Sequence, residues 1–492
     1  MADLDFVKPP LDARVFPPDH RNPQPASRYN LVVIGAGTAG LVTAAGAAGL
    51  GAKVALVERR AMGGDCLNVG CVPSKTLLRA AHLATSMKAA PAHGVSATGV
   101  HVDFAAVMAR VREVRHRISA HDSVERFSSL GVDVFLGDAH FLDREHVAVA
   151  GATLRFARAV IATGGRPVVP PIDGLAAVAP LTNETVFELT EQPRRLLVLG
   201  GGPIGCELAQ AFQRLGTAVT LVESQPQLLG KETADVARLV HDALVADGAV
   251  VHVGTTVEQV ERTPDGIVAT LAGGHVGRVT VDHVLVAAGR APNIESLRLD
   301  AAGVTTTRTG VTVNDFLQTS ADHIYACGDV CLADHFTHAA DASARIVVQN
   351  ALFVGRKRVS ALTIPRCTYT DPEVAHVGRT AADDDAELVV LEVKWRDVDR
   401  AITDGREDGF VRLFTKKGVV VGGTIVGDGA GDLIGEVAVL VARQVSAADL
   451  AGIIHPYPTR AEAIRKVGDL HNRGRLTPTV KSLFERWLAW RR

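Results

Sequence analysis

Sulfur is scarce in this chain, yet two of its six cysteines stand five residues apart in GGDCLNVGCVPSK, Gly63–Lys75. On an ideal helix, residues at that spacing lie roughly 8.6 Å apart at Cα. A disulfide spans less than about 7 Å. Cys66 and Cys71 can therefore bond only where the helix is distorted or begins between them. Asn68 and Gly70 tolerate irregular backbone, and Pro73 suits a first helical turn, where its missing N–H costs nothing. Cys71 then falls at a helix N-terminus, which lowers a thiol pKa, and Lys75 adds a positive charge one turn on. That is the layout of a redox-active pair. A zinc site would want further Cys or His at short spacing, which this segment lacks. Two inert thiols would need neither the glycines nor the lysine. The remaining cysteines, Cys206, Cys327, Cys331 and Cys367, read as core thiols.

A redox pair needs an electron source, and the flanking elements point to one. Leu31–Glu58 (LVVIGAGTAGLVTAAGAAGLGAKVALVE) and Leu196–Glu223 (LLVLGGGPIGCELAQAFQRLGTAVTLVE) align without a gap at an offset of 165. The alignment superposes Gly35 on Gly200, Gly37 on Gly202, Gly40 on Gly205 and Glu58 on Glu223. In each copy a buried strand ends in a glycine that allows a tight turn. The second glycine leaves room for a pyrophosphate, and the third lets helix and sheet approach closely. The helix N-terminus faces the phosphates with unpaired N–H groups, and the closing Glu accepts from a ribose hydroxyl. Two dinucleotide-binding domains follow. A carboxylate about 4 Å from a 2′-phosphate repels it by roughly 4 kcal/mol at an effective dielectric of 20, so Glu223 favours NADH over NADPH.

Residues 31–52 are uncharged and long enough to cross a bilayer, but six glycines in those 22 residues mark strand–turn–helix instead. Net charge is −2 over 492 residues, which offers no basic field to nucleic acid. Six cysteines do not make a secreted disulfide framework. Residues 1–27, acidic and then Pro-rich, lack the regions of a signal peptide. They read as an irregular arm of a cytoplasmic protein.

Gly63–Lys75 between two nucleotide folds closely resembles the pyridine nucleotide–disulfide oxidoreductases, a family that includes glutathione reductase, dihydrolipoamide dehydrogenase and mercuric reductase. The resemblance covers roughly residues 28–470. It implies an α/β fold with two Rossmann-like domains and a C-terminal α+β dimerisation domain, FAD at the first site, a nicotinamide cofactor at the second, and a homodimer. It implies a relay from NADH through FAD to a Cys66–Cys71 disulfide, with Cys71 facing the flavin and Cys66 meeting substrate. ATGGRP, which holds Thr163 and Gly164, and AAGRAPN, which holds Gly289, resemble the family's two inter-domain crossings. By the same resemblance Asp329 in IYACGDV bonds the ribityl chain, Glu207 pairs with Lys75, Ala139 lies beside adenine, and Gly64 belongs to the cofactor turn. Asp65 departs from the family, which has Thr there near the pyrophosphate; an anion is unfavourable at that place unless it points away or is solvated. His335 and His338 either line the flavin or pack at a helix start.

The implied divisions are 28–178 and 289–360 for FAD, 179–288 for NAD, 361–472 for dimerisation, and 473–492 for an amphipathic helix. The family's catalytic segment corresponds to HPYPTRAE, His455–Glu462. Anchoring on Pro458, Thr459 and Glu462 puts Tyr457 where dihydrolipoamide dehydrogenase and glutathione reductase carry His, and leaves His455 two residues early. Tyrosine is only about 0.1% ionised at pH 7, a poor proton shuttle for a dithiol. Mercuric reductases carry Tyr there, and RAAH (Arg79–His82) also resembles them. Their C-terminal Cys pair is missing, since no cysteine follows Cys367. The acceptor expected is a soft metal ion or a small disulfide. The alternatives are dihydrolipoamide dehydrogenase and a flavin-bound redox sensor with little turnover. In TVKSLFERWLAWRR, Leu483, Trp487 and Trp490 share one helical face. That stripe is expected to pack on its own domain, with a membrane surface as the other reading.

Overall fold

The computed structural model describes residues 12–96, 99–381, 383 and 385–492. The chain divides into two compact units. One runs to Pro226 and resumes over Asp247–Leu362, and the other joins Gln227–Ala246 to Thr363–Arg492. The start of the N-terminal arm, residues 1–11, lies outside the described residues.

In the first unit, Tyr29–Ile34 and Val54–Glu58 are almost wholly apolar and buried, as strands covered on both faces must be. They pair in parallel with Leu31 opposite Val54. Asp133–Leu136 continues the sheet on one side and Ala152–Ile161 on the other. Ile324–Ala326 adds in parallel to Ala152–Ile161, so the chain returns to this sheet after building another. That other sheet is parallel throughout, in the order Val250–His252, Ala218–Val222, Arg195–Leu199, His283–Val286. The two glycine repeats lead from the first strand of each sheet into the helices Thr38–Gly49 and Pro203–Leu215.

The described part of the arm has no regular elements, but it is held. Val15 is fully buried in the first core. Asn22 exchanges two hydrogen bonds with the backbone of Leu136, at 3.0 and 2.7 Å.

The second unit is built on a five-stranded antiparallel sheet. The segment VRLFTKKGVVVGGTIVG forms its central hairpin, Phe410–Lys416 with Val419–Gly427. Trp395 is fully buried against this hairpin, its indole N–H donating to the Val426 carbonyl at 2.6 Å. The helix Pro478–Trp490 is capped by Thr477, whose hydroxyl accepts from the Val480 N–H. No residue of that helix is buried. The expectation that its apolar stripe packs on its own domain is therefore not met. Alternation of apolar and polar positions records that a face must be covered, not what covers it.

Candidate functional site

The two turns repeat each other closely. Gly35 and Gly200 adopt φ of +102° and +107°, and a Cβ at either would stand 2.4 or 2.5 Å from the carbonyl oxygen of Ala162 or Ala287. A Cβ at Gly40 or Gly205 would stand 1.8 or 1.9 Å from the carbonyl oxygen of Gly35 or Gly200. The closing acids latch onto the turns they follow. Glu58 accepts from the N–H groups of Ala36 and Arg60 at 2.7 and 2.8 Å. Glu223 accepts from those of Gly201 and Gln225 at 2.6 and 2.7 Å. Burial pushes the Glu58 carboxyl up from its ordinary range, opposed by the two backbone donors.

Gly35, Glu58, Gly137, Ala139, Thr163 and Asn293 line a cleft at the end of the first sheet. The two crossing motifs meet beside it. Gly165–Pro167 pairs antiparallel with Arg290–Pro292. Thr163 Oγ1 donates to the Asn293 carbonyl at 2.7 Å, and Asn293 returns a bond to the Thr163 carbonyl at 2.9 Å. The carbonyl of Gly164 accepts from Asn293 N–H at 3.0 Å, and that of Gly289 from Val168 N–H at 3.0 Å. Glycine turns that admit no side chain, a latched acid and a cleft backed by small residues fit the adenosine and pyrophosphate of a dinucleotide. Asp65 is explained here as well. Its carboxylate is ion-paired with the largely buried Arg290, whose guanidinium also donates to the Gly165 carbonyl at 3.0 Å. The anion beside the turn is paired with a cation while its carboxylate keeps contact with solvent. Burial pushes Asp329 up, countered by the charge of Arg290.

A short helix, Gly64–Asn68, ends at Val69, and a new one starts at Cys71 and runs to Ala89. The helix thus begins between the two cysteines, one of the two geometries that lets residues five apart approach. Both are free cysteines in this structure, Cys66 half-buried and Cys71 exposed. Cys71 is pushed down to about 6, first by a hydrogen bond from the Cys66 thiol, then by Thr337 and the charge of Lys75; burial opposes this. Cys66 is pushed up by that same bond and by burial. Cys71 is accordingly the thiolate of the pair, and Thr337 Oγ1 lies 3.3 Å from its sulfur. Lys75 Nζ donates to the buried Glu207 at 2.8 Å. That pair links the cysteine helix to the helix of the second turn.

In the second unit, Tyr457 Oη donates to Asp399 at 2.8 Å rather than to Glu462, and this carboxylate pushes the phenol up. Glu462 is buried. One of its oxygens accepts from Arg465 at 3.0 Å; the other has no hydrogen-bond partner among the described residues. His455 is engaged elsewhere, its two ring nitrogens lying 2.9 Å from Glu436 and 3.1 Å from the Ile453 carbonyl. The sequence expectation grouped Tyr457 with Glu462, and no hydrogen bond joins them. His338 stacks on Phe336 with ring centroids 5.3 Å apart, a helix-start contact.

Thr337, Arg290 and Asp399 were not singled out from sequence. Each meets its partner across 58 or more positions, and no local spacing announces such contacts. The charge of Asp65, unfavourable beside the turn without compensation, was the one available signal.

The family model described as pyridine nucleotide-disulphide oxidoreductase matches residues 29–347, and the family's dimerisation domain matches 364–467. A mercuric reductase of Lysinibacillus sphaericus is 35% identical over 444 residues, covering 89% of this chain and 81% of the relative. A dihydrolipoyl dehydrogenase of Bacillus subtilis (strain 168) is 33% identical over 451 residues, covering 89% of this chain and 95% of the relative. Among solved structures, the Cu(II) complex of the HOCl-induced flavoprotein disulfide reductase RclA from Escherichia coli superposes with a TM-score of 0.80 at 27% identity, over 89% of this chain and 98% of that one. Thiols at a helix start, beside two latched glycine turns, now have a lineage: the chain belongs to the FAD-dependent pyridine nucleotide–disulfide oxidoreductases.

Proposed function

We propose that this protein uses NADH to reduce the Cys66–Cys71 pair and delivers the electrons to a soft metal ion, in the manner of a mercuric reductase. The observation that carries this reading is the catalytic segment. Where a dithiol oxidase needs a histidine base, this chain has Tyr457, its hydroxyl committed to Asp399. His455 is committed to Glu436. A phenol pushed up from its ordinary value by a carboxylate does not accept a proton at neutral pH, but it can assist a metal held between two sulfurs. A relative named mercuric reductase, and a disulfide reductase whose solved structure is a Cu(II) complex, support the same class of acceptor.

The first turn, with Glu58, Ala139 and Asp329, would hold FAD, and the second, with Glu223, the nicotinamide nucleotide. When bound, FAD supplies a two-electron carrier between the nicotinamide and the cysteine pair. The chain's own residues do the rest. Reducing the disulfide consumes two electrons and one proton and leaves Cys66 as thiol and Cys71 as thiolate. The helix start, Thr337 and Lys75 hold the charge on Cys71, and Glu207 holds Lys75. By the family resemblance Cys66, half-buried beside the exposed Cys71, is the sulfur that meets the acceptor. Glu223 is fixed at its turn by two backbone N–H groups, and the next five residues, SQPQL, carry no cation; both features favour NADH. The divisions at 28–178, 179–288, 289–360 and 361–472 belong to the same proposal.

The test is NADH oxidation with Hg(II), Cu(II), lipoamide or oxidised glutathione as acceptor. Turnover with a metal ion well above that with lipoamide, abolished by Cys71→Ser with flavin retained, is expected. Faster turnover with lipoamide would transfer the chain to the dihydrolipoyl dehydrogenases.

A further inference from the structure

We propose that the helix Pro478–Trp490 docks the protein on an anionic bilayer surface, lying in the plane of the headgroups. Nothing in the redox chemistry uses this helix. A Pro in the first turn and a Thr477 cap start it cleanly, yet a helix of 13 residues with no buried side chain is marginal in water unless its apolar face is covered. That face is large. Leu483, Phe484, Trp487, Leu488 and Trp490 are 64, 52, 53, 57 and 76% exposed. At 100° per residue they share an arc of about 160° with Val480.

Charge selects the occupant. Residues 478–492 carry Lys481, Arg486, Arg491 and Arg492 against the single acid Glu485. Lys481 and Arg486 fall on the polar side of the wheel, and Arg491 and Arg492 follow its last turn, the Arg491 guanidinium over the Trp487 ring, 5.9 Å from its centroid. A second copy docked about a twofold axis would set this cationic strip near its own like. The family's dimerisation match also ends at residue 467, before the helix starts. An anionic surface takes the apolar face and the cations together, and paired indoles such as Trp487 and Trp490, 5.2 Å apart, suit the boundary between headgroup and acyl chain. Among the described residues no helix is long and apolar enough to cross a membrane. The contact is interfacial, not spanning.

The experiment uses the full-length, flavin-loaded protein with vesicles of phosphatidylcholine alone or mixed with about a third phosphatidylglycerol. Co-sedimentation and tryptophan emission are read together. The chain has three tryptophans and Trp395 is fully buried, so a blue shift reports Trp487 and Trp490. The expected result is binding to the anionic vesicles with a blue shift, weaker by about tenfold on phosphatidylcholine alone or in high salt. The double variants Trp487→Ser/Trp490→Ser and Arg486→Glu/Arg491→Glu should each lose about tenfold or more in binding and keep their NADH–ferricyanide turnover. Absence of binding to either vesicle overturns the proposal, as does binding that survives both variants. A lipid-free assembly that shrinks in the tryptophan variant, without vesicle binding in the parent, would assign the face to a second copy and overturn it too.

Discussion

At the first nucleotide turn, Gly37 is backed by the chain that leads into the cysteines: a Cβ at Gly64 would stand 2.6 Å from the Gly37 Cα. At the second turn, a Cβ at Gly202 would meet nothing within 4 Å. The acids differ in the same sense. Glu58 is buried and its carboxyl pushed up, whereas Glu223 is half-buried and also accepts from the Ser224 hydroxyl at 3.1 Å. Within each turn the geometry agrees to about a tenth of an ångström in its tightest contacts. The local code is therefore the same, and cover supplied by distant parts of the chain sets the two sites apart. A turn closed over by Gly64 and by the Asp65–Arg290 pair suits a group that stays. A turn open on that side suits one that must leave after every hydride.

The harshest way to break this comparison is to fill the third glycine of each turn. Gly40→Ala and Gly205→Ala create nearly the same overlap with a backbone oxygen, at 1.8 and 1.9 Å, and each should cost about 3 kcal/mol locally. The outcomes should nevertheless differ. Gly40→Ala should purify without flavin and melt early. Gly205→Ala should keep its flavin and its dithionite-reducible cysteines while NADH reduction falls more than about tenfold. Flavin absorbance per protein and single-turnover NADH reduction measure both. Equal flavin loss in the two variants would mean that the turns do not have separate tenants.

Next in size is the link between the two halves. Lys75→Met takes away the ammonium that the buried Glu207 carboxylate now meets at 2.8 Å. Removing one partner of a buried pair costs about 3–5 kcal/mol, and the partial exposure of Lys75 argues for about 2–3. Urea midpoints should fall accordingly and recover in large part in Lys75→Met/Glu207→Leu, where both charges of the pair are gone. A single variant as stable as the parent would reduce the pair to a surface contact.

How much of this was legible in the sequence differs between the same two regions. The turns could be read in full, because each of their constraints lies within 28 residues and is carried by a glycine or an acid at fixed spacing. The break between Gly64–Asn68 and Cys71–Ala89 was legible in part for the same reason, since the Cα distance meant that a bonded pair needed either a distorted helix or one that begins between the cysteines, and the structure shows the second. The cover was not. Arg290 neutralising Asp65, Thr337 reaching Cys71, and Asp399 drawing Tyr457 away from Glu462 all depend on which strands become neighbours. The free face of Pro478–Trp490 marks the same limit, since a stripe shows that apolar area exists and leaves its partner open.

A finer probe of that cover is the proton on Cys71. With its thiol pushed down to about 6, alkylation of the reduced protein by iodoacetamide should rise with pH through a first midpoint near 6, well below the ordinary thiol value near 8.5. Below that midpoint the thiolate is protonated and the rate falls. The midpoint belongs to the pair's first deprotonation. Thr337→Val removes a donor that lies 3.3 Å from the sulfur, so it should move the midpoint up while leaving flavin content unchanged. An unmoved midpoint would assign the effect to Cys66 and the helix start alone.

The smallest effect expected is at the open turn. Replacing Glu223 by Gln keeps the side chain's length and one carbonyl to accept from Gly201 and Gln225, but removes the charge that the proposed function sets against a 2′-phosphate. The full repulsion of roughly 4 kcal/mol at 4 Å is cut by solvent at a half-exposed site and by salt, so about 1 kcal/mol should remain. The ratio of kcat/KM for NADH over NADPH should therefore drop by roughly fivefold in Glu223→Gln at low salt, and by less as ionic strength rises. The matching change at the closed turn, Glu58→Gln, should leave this ratio alone and register in flavin retention instead. A ratio that moved with Glu58 and not with Glu223 would exchange the two tenants. Salt dependence confined to Glu223 would show that the open turn meets its cofactor in water.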